Sequence, residues 1–219
     1  MDETKLRTLN KTYFIWSGVL IIWSLYRVYI RLPEWVDDFV IKPVVFVLPV
    51  LFYVIYRERR PLASIGLTLG KFFRDVYLGL GFGMLFALEG LVANSVKHGT
   101  FSFAPLIPIT GGQLILAVVL ALVAAGSEEV LVRGFFYTRL RDGYGSEMKA
   151  LVISTAMYVL LLVPAIFLIS RLVGMTLFVF VLTNIVMSLA NTLIFSETKT
   201  LTVPILIHAF WNMAVALYL

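Results

Sequence analysis

Residues 114–142 read LILAVVLALVAAGSEEVLVRGFFYTRLRD, an apolar run long enough to cross a bilayer with three charged side chains, Glu128, Glu129 and Arg133, standing inside it. The run decides the class of fold, and the charges point to chemistry. A carboxylate or guanidinium near mid-bilayer costs about 2.5–3.5 kcal/mol on insertion scales, so three in one span need partners to offset them. Glu129 and Arg133 are four residues apart and share a helix face, where they can pair. Glu128 is rotated by about 100° from Glu129, which leaves it free to face an interior cavity.

The rest of the chain is of the same kind. Of its 219 residues 60% are apolar and 14% charged, and the mean hydropathy is +0.94, which leaves too little polar surface to coat a water-soluble core and excludes disorder equally. Seven apolar segments can be marked: Thr12 to Ile30, Phe39 to Tyr56, Val76 to Val96, Gly111 to Tyr137, Met148 to Ile169, Leu172 to Phe195 and Leu201 to Leu219. The expected architecture is all-α, a polytopic transmembrane bundle of about seven to eight spans, with 1–219 forming one integral membrane domain. The first span is read as a retained anchor, since the charged start MDETKLRTLNK leads into a full-length run without a small-residue cleavage site.

The net charge of +5 is explained by topology, with no nucleic-acid partner implied. Loops on the amino-terminal side carry twelve Lys and Arg, and the opposite side carries five, Arg27, Arg31, Lys42, Lys97 and Arg171. That bias places the amino terminus in the cytoplasm of a multi-pass protein, with a prokaryotic plasma membrane as the expected location. No cysteine is present, which removes disulfides, thiolate nucleophiles and Cys-ligated metals.

The last span, LTVPILIHAFWNMAVALYL, carries His208 and Asn212, four apart and on one helical face. Counted at about 1.5 Å per residue from Arg139 and from Lys199, Glu128 and His208 come to similar depths, roughly 16 and 13 Å, in the cytoplasmic half. A carboxylate, an imidazole and a carboxamide at one depth are what water activation plus oxyanion stabilisation require. Plainer readings stand beside this one. The charged trio can be a structural ion-pair network, and His208 can be an interhelical hydrogen bond worth about 1 kcal/mol. Glu89 reads as structural, Gly79, Gly81 and Gly83 as a close helix-packing surface, and Asn184 and Asn191 as bridges between helices or cavity lining. Only Glu128, Glu129 and His208 are plausible metal ligands, without the spaced histidine pair of a zincin, so no metal site is expected; zinc has weak support and the cofactor stays open.

Two stretches, Glu128–Glu129 followed by Arg133 and then Gly134-Phe135-Phe136-Tyr137, and VPILIHAFWN with His208 and Asn212, resemble the CAAX prenyl protease and bacteriocin-processing (CPBP, or Abi) intramembrane proteases. The resemblance covers 111–219, with SIGLTLGKFFRD at 64–75 as a weaker echo. It implies an intramembrane endopeptidase in which Glu128 activates water, His208 and Asn212 stabilise the oxyanion, and Arg133 holds Glu128 and Glu129. The implied partners are the lipid bilayer and a peptide or protein substrate: a prenylated carboxyl-terminal tail, a leader peptide or a membrane-protein segment. Tyr158, Leu162, Phe136 and Asn191 are candidate substrate contacts. One departure stands out, because the family's middle motif places a histidine four residues after a phenylalanine, and here STAMYVLLLVPA offers Tyr158 and then Leu162. That departure keeps open a catalytically impaired relative acting as a scaffold, immunity factor or partner-binding protein. A proton-relaying transporter is a third reading, disfavoured by the continuous spans and the lack of internal repeats.

Overall fold

The structure is a computed structural model that describes residues 2–30, 32–98, 111–166 and 173–218. Among the described residues there is no strand, and the expected helical membrane bundle is what forms. Its long helices are α1 (Glu3–Tyr29), α2 (Glu34–Glu58), α3 (Phe72–His98), α4 (Gly111–Tyr144), α5 (Glu147–Ala165), α6 (Gly174–Thr198) and α7 (Thr202–Tyr218). Helices α2 and α4 and the stretches Glu147–Pro164 and Leu177–Thr198 are each long and apolar enough to cross a membrane. Phe14, Ile21, Phe52, Leu85, Ile115 and Phe178 lie exposed on the outside, the apolar belt a bilayer covers. The 101–110 stretch and the side chains of Glu89 and His98 lie outside what is described.

Local sequence sets the helix ends and irregularities. Asp2 caps α1 by accepting from the Thr4 N–H, and Ser146 caps α5 by accepting from the Lys149 N–H. In α2, Pro43 and Pro49 have no N–H to offer the carbonyls four residues back, and π-helical turns cover Asp37–Ile41, Pro43–Val47 and Tyr53–Glu58. A further π-helical stretch, Val130–Tyr137, opens directly after Glu129. Such widened turns recur where helices carry functional residues.

Two glycine contacts place the helices that matter most. A Cβ at Gly79 would lie 2.6 Å from the Leu206 side chain, and one at Gly83 would fall on the Phe210 ring, so α3 lies against α7 through small residues one turn apart. His208 sits between Leu206 and Phe210 in the sequence and is held in depth by this contact. Gly81 meets nothing within 4 Å and does not belong to the packing surface expected of all three glycines. The linker after α2 folds back through a 3₁₀ turn, Leu62–Ile65, ending at Gly66 with φ 78, whose carbonyl accepts from the Leu201 N–H at 3.0 Å. A Cβ at Gly134 would lie 2.9 Å from the Ile65 carbonyl, so this linker also rests on α4.

Two charges counted as loop residues lie in the bundle. Lys42 falls eight residues into α2, buried against α4. Arg139 is 2% exposed, embraces Glu58 through contacts of 2.6–3.0 Å and marks no helix end, because α4 runs on to Tyr144. Depth measured from Arg139 was therefore measured from an interior position. Without Lys42 and Arg139 the loop tally becomes eleven to four, and its sign is unchanged.

Candidate active site

Glu129, Arg133 and His208 form a dry knot where α4, α6 and α7 meet. Glu129 and Arg133 are fully buried and pair at 3.0 Å. Arg133 also donates to the Ser188 carbonyl at 3.0 Å and lies over the Tyr158 ring, 5.2 Å from its centroid. Glu129 Oε1 contacts His208 Nδ1 at 2.7 Å and accepts from Asn191 Nδ2 at 3.2 Å. Asn191 further donates to the Pro204 carbonyl at 3.3 Å, one residue type thus tying α4, α6 and α7 together.

Glu128 faces the other way, as the helical rotation requires. It lines a cavity of about 70 Å³ with Trp23, Arg27, Lys42, Phe46 and Tyr158. Leu161 and Leu162 complete its α5 wall. This is room for a few water molecules. Glu128 is not free, as the rotation alone suggested: its Oε1 lies 2.8 Å from Lys42 Nζ, which also reaches Asp38 Oδ1 at 2.9 Å. Arg133 reaches Glu129 but not Glu128, so the expected single clamp on both glutamates is divided between two cations. His208 Nε2 stands 3.7 Å from Glu128 Oε2, beyond direct hydrogen-bond length. Arg27, at the cavity's far wall, is taken up by Asp37, which Tyr26 also contacts.

Each expected residue has a definite place. Glu128, Glu129, Arg133 and His208 converge, with Tyr158 edge-on to the His208 ring at 6.3 Å between centroids. Asn212 is half-buried one turn along α7 and makes no hydrogen bond among the described residues. Tyr158 and Leu162 line the cavity; the Tyr158 hydroxyl also donates to Asn184 Oδ1 at 3.4 Å. Phe136 and Asn191 do not line it. Phe136 is buried in the core beside Phe135, and Asn191 is a buried bridge to Glu129; His208 and Asn212 are likewise not among the cavity's lining residues. One of the lining residues, Arg27, is two residues from the end of α1. Lys42 was missed, although a lone lysine within DDFVIKPVVFVLPV (37–50) is the same kind of signal as Glu128.

The ring geometry limits what His208 can do. With Nδ1–H donating to Glu129, Nε2 donates only if the ring carries both protons and accepts otherwise. An oxyanion-binding role for His208 requires the doubly protonated form. Among the described residues no three His, Asp or Glu side chains are grouped to hold a metal ion.

Residues 110–214 match the model of the family described as type II CAAX prenyl endopeptidase Rce1-like. Over this stretch the chain is similar to that family, in keeping with the CPBP resemblance of its motifs. No curated protein and no solved structure gives a match to the chain. The CPBP stretch holds Glu128, Glu129, Arg133, Tyr158, Leu162, Asn191, His208 and Asn212 but not Lys42 or Asp38. The family is one of proteases acting on peptide substrates in the membrane, which is the chemistry that a buried carboxylate–imidazole site suits.

Proposed function

We propose that the protein is a glutamate-type intramembrane endopeptidase that hydrolyses a peptide bond of a membrane-associated substrate. The observation that carries this reading is the 3.7 Å gap between Glu128 Oε2 and His208 Nε2 beside a cavity sized for water. A water in contact with Glu128 gives a proton to the carboxylate as its oxygen bonds to the scissile carbonyl carbon. The carbonyl π pair moves onto oxygen, where imidazolium Nε2–H of His208 and the Asn212 carboxamide donate to it. Collapse of the tetrahedral intermediate breaks the C–N bond, and the leaving amine takes the proton from Glu128. Glu129 and Arg133 hold His208 in place throughout. The substrate classes are a prenylated carboxyl-terminal tail, a leader peptide and a membrane-protein segment, and the orientation is amino terminus in the cytoplasm of a prokaryotic plasma membrane.

The test is cleavage in proteoliposomes of farnesylated tail peptides and leader peptides, supplied inside or outside the vesicles, by wild type and Glu128→Gln. Cleavage by wild type and its loss in Glu128→Gln is the expected result. Turnover indistinguishable between the two overturns the reading. A second reading has its own observation, Leu162 in the cavity wall where the family's histidine is expected. A non-catalytic relative, acting as a scaffold or partner-binding protein, would be silent as wild type, and activity appearing in Leu162→His would identify it.

A further inference from the structure

We infer that Lys42 is a positioning residue for Glu128, in a cavity whose α5 wall offers Leu162 and no second charged anchor; this rests on the protease reading. Lys42 belongs to α2, in the half of the chain that the family match leaves uncovered, and it lines the same cavity as Leu162 and Glu128. Its ammonium is 2.8 Å from Glu128 Oε1, whereas Oε2 is the oxygen that faces His208. One carboxylate oxygen is thus fixed and the other is left to take the proton of the attacking water. A leucine at 162 cannot anchor Glu128, because an apolar side chain offers a carboxylate neither a hydrogen bond nor a charge. Lys42 supplies the charge and the orientation from the opposite side of the cavity.

The local structure supports this use of the lysine. Lys42 stands between two π-helical turns and directly before Pro43, the most irregular part of α2. Asp38, one turn earlier, contacts the same Nζ at 2.9 Å, so the ammonium is held between two carboxylates and not by Glu128 alone. The neighbouring Arg27 is occupied by Asp37, and Lys42 is the cation in direct contact with Glu128 at 2.8 Å, His208 standing farther off at 3.7 Å.

The experiment measures kcat and KM in proteoliposomes for wild type, Lys42→Met, Lys42→Arg, Glu128→Gln and, as a control, the exposed Lys149→Met. Thermal unfolding of each is followed in detergent. Lys42→Met is expected to lower kcat by about 10–100-fold with KM changed less than about twofold, and Lys42→Arg to restore most of it, while Lys149→Met equals wild type. Should Lys42→Met fail to fold, Lys42→Met with Asp38→Asn removes the stranded second carboxylate and reads the same loss. Unchanged or raised kcat on removing Lys42, or no recovery with arginine, overturns the role of Lys42 while the protease stands. A wild type that turns over no faster than Glu128→Gln overturns the protease reading, and the inference falls with it.

Discussion

Glu128 and Glu129 are adjacent in sequence and differ in almost every physical respect. Glu129 is fully buried, and one of its oxygens is shared among Arg133, Asn191 and His208. Glu128 stands at the edge of a cavity, held on one side by Lys42 and open on the other. The first is arranged as a support, and the second as a group with something left to do. Two identical carboxylates therefore acquire separate roles from a rotation of about 100° about one helix axis.

The sharpest way to break this comparison is to neutralise each glutamate in turn. Glu128→Gln is expected to lower kcat/KM by about 10²–10⁴-fold while the thermal transition stays close to that of wild type, because Lys42 keeps Asp38 as a partner. Glu129→Gln is expected to cost about 3–5 kcal/mol of stability, since it strands Arg133 in the interior, and a transition no lower than that of Glu128→Gln would erase the distinction. Next in size is Asn212→Ala, for which a kcat loss of about 10²-fold without a stability change would show a donor acting on the reacting oxygen. A melting shift with unchanged kcat would return Asn212 to packing. The smallest effect is expected from Gly83→Val, which presses on Phe210 and costs about 1–3 kcal/mol, read as a lower transition temperature.

Much of the bundle was legible because hydropathy is a local property. The seven apolar segments correspond to seven long helices among the described residues, and the four-residue spacing of Glu129 and Arg133 was enough to foresee their pair. His208 could be placed beside the glutamates because its helix and theirs were each readable. What sequence did not disclose is pairing across the bundle. Lys42 meets Glu128 from a helix whose position relative to α4 no local pattern specifies, and a loop-charge tally assigned it to the water. Arg139 escaped for the same reason, its partner Glu58 standing at the end of α2. Asn191 carried no sign of its bond to Glu129, because a lone amide in an apolar helix looks alike whether it binds substrate or a neighbouring helix. Gly81 shows the complementary lesson: of three glycines spaced by two, helical geometry can turn only the first and third to one neighbour.

The Lys42–Asp38 contact has a consequence for how the chain is made. Both residues lie on α2, so that helix emerges from the ribosome with its cation already neutralised by its own carboxylate. Helix α4 brings Glu129 and Arg133 as a similar self-contained pair, but Glu128 has no such companion in its own span. Its partner Lys42 lies on a helix made earlier, so the charge on Glu128 finds its counter-ion in the bilayer once α4 packs against α2.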